Sequence, residues 1–340
     1  MNMEVAQKVL AAYHIYPLHI EKITDNVYKV SDGNRDYALK RSGLNNEREI
    51  QLWRYTYEQA YNQNLLTILP VYLTKDGELY AIHNQHVYYL TPWLEGAGVQ
   101  KDKSTIEQFY RVLGNIHAKT RQVQTITTTD FLPGFQEYAS YCHQAQESLL
   151  GFVERFEKNR YMSPFELSVC THYRDIDYSL KEINRRIQQF MDIGEETVPW
   201  TLNLCHADLQ FNHMLKTRQL HIINWEKVRY DNAAMDLAAF FRNEMKHFDA
   251  PSEDMIDLFK VYMNENELTK IELNLLAIYL LDPVPYIKKL QNYTERRSAE
   301  SMVNQTKMLQ QTYRQLRFGL KWSNYVEKEY ELLELDDLES

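Results

Sequence analysis

The sequence changes its pattern near Gly96, and this change constrains the fold more than any other feature. Before Gly96, short runs rich in Val, Tyr and Ile alternate with turn signals such as Asp32-Gly33-Asn34, a pattern typical of antiparallel hairpins. Between two such hairpins, apolar residues recur at helical spacing over residues 46–62 and predict one amphipathic helix. We therefore expect residues 1–95 to form a small lobe in which a single helix packs on an antiparallel sheet.

The remainder of the chain, residues 96–340, is mostly helical in its pattern. Apolar residues recur every three to four positions, which predicts helices at residues 105–122, 135–158, 173–192, 234–247 and 252–264. The exception is residues 202–226, where short apolar runs surround polar residues and predict a hairpin among the helices. The acidic end, residues 329–340, is expected to be a solvated tail.

Composition excludes several classes of protein. The 340 residues carry 38 Lys and Arg against 47 Asp and Glu, a net charge of −9, which argues against a nucleic-acid binder. Ten glycines, where an average composition gives about 24, argue against a P-loop or Rossmann chain. Three distant cysteines fit a reducing compartment. Without a signal-peptide pattern or an apolar run of about 18 residues, we expect a chain made in the cytoplasm with no membrane span.

The residues that point to chemistry lie in the second lobe, with one lysine upstream. His206-Ala207-Asp208 is followed by Asn224-Trp225-Glu226 and then by Asp236-Leu237-Ala238, while Lys40 stands at the end of a predicted strand in the segment YALKR. A single HxD triplet is common and has little meaning alone. The ordered set of a strand lysine, HxD, Asn-Trp-Glu and Asp-Leu-Ala is much more specific.

This ordered set resembles the protein-kinase-like fold, in its aminoglycoside and choline phosphotransferase branch. That branch typically reads HGDLHPGNIL, then IDWE, then DLA; here HADLQFNHML aligns without a gap and IINWE follows at the expected distance. In the first lobe VYKV, YALKR and YYLTPWLEG match, and LGNIHAKT around His117 resembles the first helix of the second lobe. The resemblance covers about residues 20–245 and implies a two-lobed α+β fold.

Within that branch the chain is similar to the CotS-type spore coat family of endospore-forming bacteria, and to its YsxE-like members. The segments that carry this similarity are ALKR, KDGELY before HVYYLTPWLEG, LCHADLQFNHML, and IINWEK before DLAAFFR. The resemblance implies synthesis in the mother cell, a location in the spore coat and other spore coat proteins as partners.

The resemblance also implies a nucleotide-binding role for the first lobe. Lys40 would hold the α- and β-phosphates of ATP, paired with a carboxylate of the helix over 46–62. Glu49 is our candidate for that carboxylate, with Glu47 and Glu58 as open alternatives. The backbone of Pro92 and Leu94 would contact the adenine, or the same segment would only connect the lobes.

Three further positions match the family. Asp208 stands where the family has its catalytic base, and His206 where a histidine supports that loop. Asp236 would accept hydrogen bonds from the loop backbone in a structural role. Asp208 would also stabilise the loop in a protein without activity, so its presence does not prove turnover.

The two magnesium positions of the family are both altered. His213 stands at the asparagine position, and Asn224 replaces the aspartate that binds the metal. Mg²⁺ prefers carboxylate and carbonyl oxygens, and imidazole suits transition metals better. Asn212 and Glu226 are neighbours that would substitute, but adjacent residues of a strand point to opposite faces.

These observations favour a degraded phosphotransferase that acts as a coat interaction component, for which ATP and Mg²⁺ are doubtful cofactors. The alternative is an active ATP-dependent small-molecule phosphotransferase with Asp208 as base. A protein kinase ranks third, because the sequence has no APE-type segment.

Overall fold

The computed structural model describes residues 3–95 and 98–331. The chain divides into two compact units, one of Met1–Arg121 and Asn203–Tyr230 and the other of Gln122–Leu202 and Asp231–Ser340. The lobe boundary at residues 95 and 96 stays a prediction, since residues 96 and 97 lie outside the described part. The predicted tail also lies outside it from residue 332 onward.

Strands and helices alternate early in the chain, and helices dominate later, in an α+β arrangement that confirms the predicted class. The strands are β1 His19–Lys22, β2 Val27–Ser31, β3 Asp36–Arg41, β4 Ala81–His83, β5 His86–Pro92, β6 Gln122–Thr127, β7 Thr197–Cys205, β8 Met214–Lys216, β9 Leu220–Ile222 and β10 Arg229–Asp231. The helices are α1 Met3–Ala11, α2 Glu47–Asn62, α3 Lys103–Lys119, α4 Thr128–Glu157, α5 Pro164–Met191, α6 Ala233–Glu244, α7 Ser252–Asp257, α8 Phe259–Glu265, α9 Lys270–Leu281, α10 Val284–Thr294 and α11 Met302–Val326.

The first unit contains an antiparallel sheet with strand order β1-β2-β3-β5-β4. Both predicted hairpins and the helix between them, α2, are confirmed. Asn46 caps α2 by accepting a hydrogen bond from the Glu49 amide, 2.9 Å, as short polar side chains do at helix starts. Two elements, α1 and β1, were not predicted. Strand β1 is mostly exposed and therefore lacks the apolar alternation of a half-buried strand.

Residues alternate between the two faces of this sheet, and the alternation decides where Lys40 lies. One face packs on α1 with a buried cluster that includes Tyr28, Val30, Leu39, Tyr88 and Leu90. Lys40 of β3 is instead directly opposite Tyr89 of β5, whose ring lies 5.1 Å from that of the buried Trp53 in α2. Lys40 therefore belongs to the face that carries α2.

The segment 203–230 is anchored to the first unit by backbone and side-chain hydrogen bonds. Asn203 donates to the His117 carbonyl of α3 at 2.8 Å, and the Leu204 amide donates to the Thr120 hydroxyl at 3.1 Å. The predicted hairpin is present as β8 and β9, and the Ile222 amide donates to the Thr67 carbonyl at 2.8 Å. These contacts hold the HxD segment and the Asn-Trp-Glu segment within the same unit.

The second unit is mostly helical, with α4 beside α5, α11 against α5 and α9, and α6 against α9. Helices α4 and α5 begin earlier than predicted, at Thr128 and Pro164. The signal for α5 was present in the sequence, since Ser163 and Glu166 form a reciprocal capping box. The helix predicted over 252–264 breaks into α7 and α8. The strand β6, mostly exposed, was not predicted; it pairs antiparallel with β7.

Candidate functional site

A cavity of about 880 Å³ in the first unit collects most of the predicted site residues. Its lining includes Lys40, Glu49, Asp208, His213 and Asn224. These residues come from β3, α2, the HxD loop and the turn after β9, so four separate segments of sequence meet at one place. The cavity is therefore the candidate functional site.

Lys40 is 7% exposed and reaches the cavity from the end of β3. Its ammonium donates a 2.8 Å hydrogen bond to the Asn224 carboxamide oxygen and lies 5.6 Å from the centre of the Tyr89 ring. Burial lowers the pKa of Lys40, and the Glu226 carboxylate opposes that shift. The amine is thus held against the amide that stands where the family has its metal-binding aspartate.

The predicted glutamate partners of Lys40 are not in contact with it among the described residues. Glu49 is exposed at the first turn of α2, and its carboxylate accepts a hydrogen bond from the Asn45 amide at 3.2 Å. Lys40 bonds to Asn224 instead, and the nearby negative charge that acts on it comes from Glu226. A nucleotide-binding role for Glu49 stays a prediction.

Glu226 is held inside the first unit by a buried tyrosine. The Tyr89 hydroxyl donates to its carboxylate at 2.5 Å. Burial raises the pKa of Tyr89 well above its ordinary value, and the Glu226 charge adds to that effect. Because the hydroxyl keeps its proton, Tyr89 remains a donor and fixes the carboxylate beside Lys40.

The expectation that Glu226 points away from Asn224 was wrong, since both side chains line the cavity. The two residues are separated by Trp225, and even in a strand such positions share a face; here the segment is a turn. Asn224 has φ 67° and ψ 52°, in the left-handed region, and Trp225–Lys227 forms a 3₁₀ turn. Asparagine tolerates this region better than most residues. The turn brings Asn224, Glu226 and Lys227 to the same side.

The loop around Asp208 is built on the buried His206. A ring nitrogen of His206, Nε2, lies 2.8 Å from the Ile223 carbonyl oxygen, and its Nδ1 accepts a hydrogen bond from the Asp208 amide at 3.3 Å. His206 also packs on Trp225, with the rings 4.9 Å apart. Between the two, Ala207 has φ 62°. His206 therefore joins the Asp208 loop to the segment that precedes Asn224, and its role in a catalytic loop stays a prediction.

Asp208 makes an ion pair that sequence reasoning did not identify. Its carboxylate lies 2.8 Å from the Lys227 ammonium, with 30% and 67% of the two side chains exposed. A general base must lie within hydrogen-bond reach of the substrate proton that it removes. Here the Asp208 carboxylate already forms an ion pair with Lys227. The only sign of this ion pair in the sequence is that Lys227 directly follows Asn224-Trp225-Glu226. The direction of the Lys227 side chain depends on the 3₁₀ turn.

His213 lines the cavity at one of the two altered metal positions. Burial lowers its pKa, as does the nearby His206, while Asp208 opposes the shift through its charge and through a backbone hydrogen bond with the ring. The other ring nitrogen, Nδ1, is buried and has no hydrogen-bond partner in the described part of the chain. His213 thus brings a nitrogen donor to the cavity lining, which suits a transition metal better than Mg²⁺.

The residues at the two metal positions do not fit Mg²⁺. Mg²⁺ requires oxygen ligands in octahedral geometry, usually with carboxylates. The Asn224 oxygen accepts from Lys40, the Asp208 carboxylate faces Lys227, and His213 supplies nitrogen rather than oxygen. Glu226 is the remaining carboxylate near Asn224, and it is bound by Tyr89.

Two sets of predicted residues lie away from this cavity. Pro92 ends β5 and is opposite Tyr37 in the sheet, and neither it nor Leu94 lines the cavity, so adenine binding there stays a prediction. Asp236 is buried in α6, which belongs to the second unit. Its contact with the HxD loop also stays a prediction.

A five-stranded antiparallel sheet with one helix on the lysine face, an HxD loop and a largely helical remainder define a kinase-like fold with a small sheet N-lobe and a helical C-lobe. The chain belongs to the APH phosphotransferase enzyme family, whose sequence pattern matches residues 19–259. The predicted branch of the kinase-like fold is therefore confirmed. A comparison with curated proteins gives no match, and the narrower spore coat resemblance stays a prediction.

Solved structures show the same fold at low sequence identity. An aminoglycoside phosphotransferase from Alicyclobacillus acidocaldarius subsp. acidocaldarius DSM 446 is 17% identical, with TM-score 0.70 over 95% of this chain and 96% of that one. Spectinomycin phosphotransferase APH(9)-Ia, solved with ADP and spectinomycin, is 12% identical, with TM-score 0.58 over 96% and 100%. Amicoumacin kinase hAmiN, solved with AMP-PNP, Ca²⁺ and Ami, is 15% identical, with TM-score 0.54 over 95% and 94%.

Across residues 3–95 and 98–331, no helix combines the length and the apolar character needed to cross a membrane.

Proposed function

We propose that this protein is a kinase-fold component of the spore coat that binds a nucleotide and transfers little or no phosphate. The observation that carries the second half of the proposal is the 2.8 Å hydrogen bond from Lys40 to Asn224. Phosphoryl transfer depends on a cation that neutralises the charge developing on the phosphate. In this site a neutral amide replaces the carboxylate that would hold such a cation, and a lysine already binds the amide.

The nucleotide is proposed from the cavity and from the relatives. The cavity of about 880 Å³ is lined by Lys40 and Asp208, the family's nucleotide and acceptor positions. APH(9)-Ia was solved with ADP and hAmiN with AMP-PNP. A pocket of this size accommodates a ligand of nucleotide dimensions.

A transfer assay tests the catalytic half of the proposal. ADP formation from ATP is measured with Mg²⁺ or Mn²⁺, for the natural protein and for Asp208→Asn, with a panel of hydroxylated and aminated acceptors. We expect equal background rates for both proteins. A rate in the natural protein that disappears in Asp208→Asn would show an active enzyme and would refute this half.

The spore coat half rests on the sequence resemblance to CotS-type proteins. A fluorescent fusion expressed during sporulation in an endospore-forming bacterium tests it. We expect the signal to be synthesised in the mother cell and to form a shell around the forespore. A signal that stays diffuse in the mother cell throughout sporulation would contradict this assignment.

A second candidate function, an active small-molecule phosphotransferase with Asp208 as base, is favoured by the position of Glu226. This carboxylate lies in the same cavity as Asn224, so the site retains a negative charge near the altered metal position. If this candidate is correct, Glu226→Gln abolishes metal-dependent ADP formation while the natural protein shows it.

A further inference from the structure

The lining of the candidate cavity has a net positive charge, although the protein as a whole is acidic. The whole chain has a net charge of −9, yet the charged residues of the cavity lining comprise five cations and three anions. The anions are Glu49, Asp208 and Glu226, and the cations are Lys40, Arg41, Arg48, Lys227 and Arg229. A concentration of one sign of charge in a concave site attracts a ligand of the opposite sign.

One of these cations contacts an altered metal position of the family, and a second contacts the position of the catalytic base. The Lys40 ammonium lies 2.8 Å from the Asn224 oxygen, and the Lys227 ammonium lies 2.8 Å from the Asp208 carboxylate. A divalent cation bound by Asn224 or Asp208 would therefore meet an ammonium at close range. The two lysines repel the metal that the family uses.

The same lysines are able to hold phosphate oxygens. An ammonium has three hydrogen-bond donors, so Lys227 keeps its contact with Asp208 and still has donors for a ligand. Its side chain is 67% exposed and lines the cavity. Lys40 is nearly buried and its hydrogen-bonded side-chain partner, Asn224, is neutral, so an approaching phosphate would add a negatively charged partner to the Glu226 charge that already acts on it.

We propose that this cavity binds a nucleoside triphosphate without a divalent metal ion, with Lys40 and Lys227 neutralising the phosphates in its place. This inference rests on the proposed function for the nucleotide as ligand. It adds a specific role for Lys227. This lysine occupies the carboxylate of Asp208, the candidate base, and together with Lys40 it binds the phosphates.

Equilibrium binding of the non-hydrolysable analogue AMP-PNP tests the inference, measured by calorimetry on the full chain in excess EDTA and again in excess Mg²⁺. We expect an affinity in EDTA equal to or higher than the affinity in Mg²⁺. Binding that appears only after Mg²⁺ is added would overturn the inference. A chelator-resistant metal is excluded by measuring the metal content of the protein.

Two variants assign the effect to the lysine. Lys227→Met keeps much of the side-chain length and removes the charge, and we expect it to weaken AMP-PNP binding in EDTA by roughly tenfold, as for one charge-assisted contact. Lys75→Met changes an exposed lysine that does not line the cavity and should leave the affinity unchanged. Equal effects of both variants, or of neither, would refute the role of Lys227; thermal unfolding of each variant checks that it is folded.

The outcomes separate this inference from the proposed function. AMP-PNP binding that needs Mg²⁺, in a protein without transfer activity, refutes only the metal-free site. Metal-dependent phosphate transfer refutes the proposed lack of catalysis. No nucleotide binding in either buffer refutes both the nucleotide ligand and the metal-free site.

Discussion

Lys40 and Asn224 are 184 positions apart in the sequence, and the Lys40 ammonium donates a 2.8 Å hydrogen bond to the Asn224 carboxamide oxygen. The lysine is 7% exposed, so a cation is held in a nearly buried place by a neutral acceptor. Hydrogen bonds satisfy the ammonium only partly, because a charge taken out of water is best compensated by an opposite charge. A negatively charged partner at position 224 would therefore stabilise the folded protein more than the neutral amide does.

We expect Asn224→Asp to raise the free energy of unfolding at pH 7 by about 1 kcal/mol, since a hydrogen bond between charged partners is stronger than one with a single charge. Aspartate tolerates the left-handed backbone of this position as asparagine does. Urea denaturation measures the change. In the Lys40→Met background the same substitution should give no gain, and a gain that persists there would show that Lys40 is not its source.

Much of the first unit was predictable because its signals are local. Turn chemistry at Asp32-Gly33-Asn34 and helical spacing over 46–62 identified the hairpins and α2. The ordered motifs then placed Lys40, Asp208 and Asn224 at one site, and the cavity contains all three.

The remaining features of the site depend on backbone geometry and on distant partners. The direction of Lys227 depends on the left-handed φ of Asn224 and on the 3₁₀ turn Trp225–Lys227 that follows it, and no periodic pattern in the sequence predicts that turn. The hydrogen-bond partner of Lys40 was expected on α2. Which side chain pairs with Lys40 depends on which segment of the chain lies next to it, and the residue in contact is Asn224 rather than Glu49. The Asp208–Lys227 pair was missed for the same reason.

Ala207 adopts φ 62° between His206 and Asp208, a backbone conformation that favours glycine. A Cβ in the left-handed region costs about 1–2 kcal/mol, while glycine costs up to about 1 kcal/mol in unfolded-state entropy. We expect Ala207→Gly to stabilise the protein by about 0.5 kcal/mol or more in urea denaturation. Ala60→Gly, within α2, should destabilise it by about 1 kcal/mol, and stabilisation by both would show an effect unrelated to φ.

Gly319 allows α11 to approach α9 closely. A Cβ at Gly319 would lie 2.5 Å from the Leu280 carbonyl oxygen, whereas a Cβ at Gly151 of α4 meets no atom within 4 Å. We expect Gly319→Ala to destabilise the protein by about 1–3 kcal/mol through overpacking, despite the better helix propensity of alanine. Gly151→Ala should stabilise it by about 0.5–1 kcal/mol. Thermal and urea unfolding measure the stability of both variants. If Gly319→Ala leaves the free energy of unfolding unchanged, α9 and α11 separate easily enough to accommodate the added methyl group.

His172 is a buried, uncharged histidine of the second unit. It is 3% exposed, its ring stacks on Tyr313 at 3.5 Å, and its Nδ1 lies 3.2 Å from the Tyr286 hydroxyl oxygen. Burial lowers the pKa of His172 to about 4; the Arg317 charge adds to this and the Asp175 charge opposes it. The unfolded chain, with an ordinary histidine pKa of 6.5, binds a proton more readily than the folded one.

This difference predicts a pH dependence of stability with a definite sign. The contribution of the neutral His172 is fully present above pH 6.5 and is lost as the pH falls through 6.5 towards 4, because the unfolded state then takes up the proton. The loss amounts to about 3 kcal/mol near pH 4. His172→Asn keeps a polar group near Tyr286 and cannot titrate, so its free energy of unfolding should fall less steeply than that of the natural protein between pH 6.5 and 4. Urea denaturation across this range measures both slopes, and identical slopes would mean that the pKa of His172 is the same in the folded and unfolded protein.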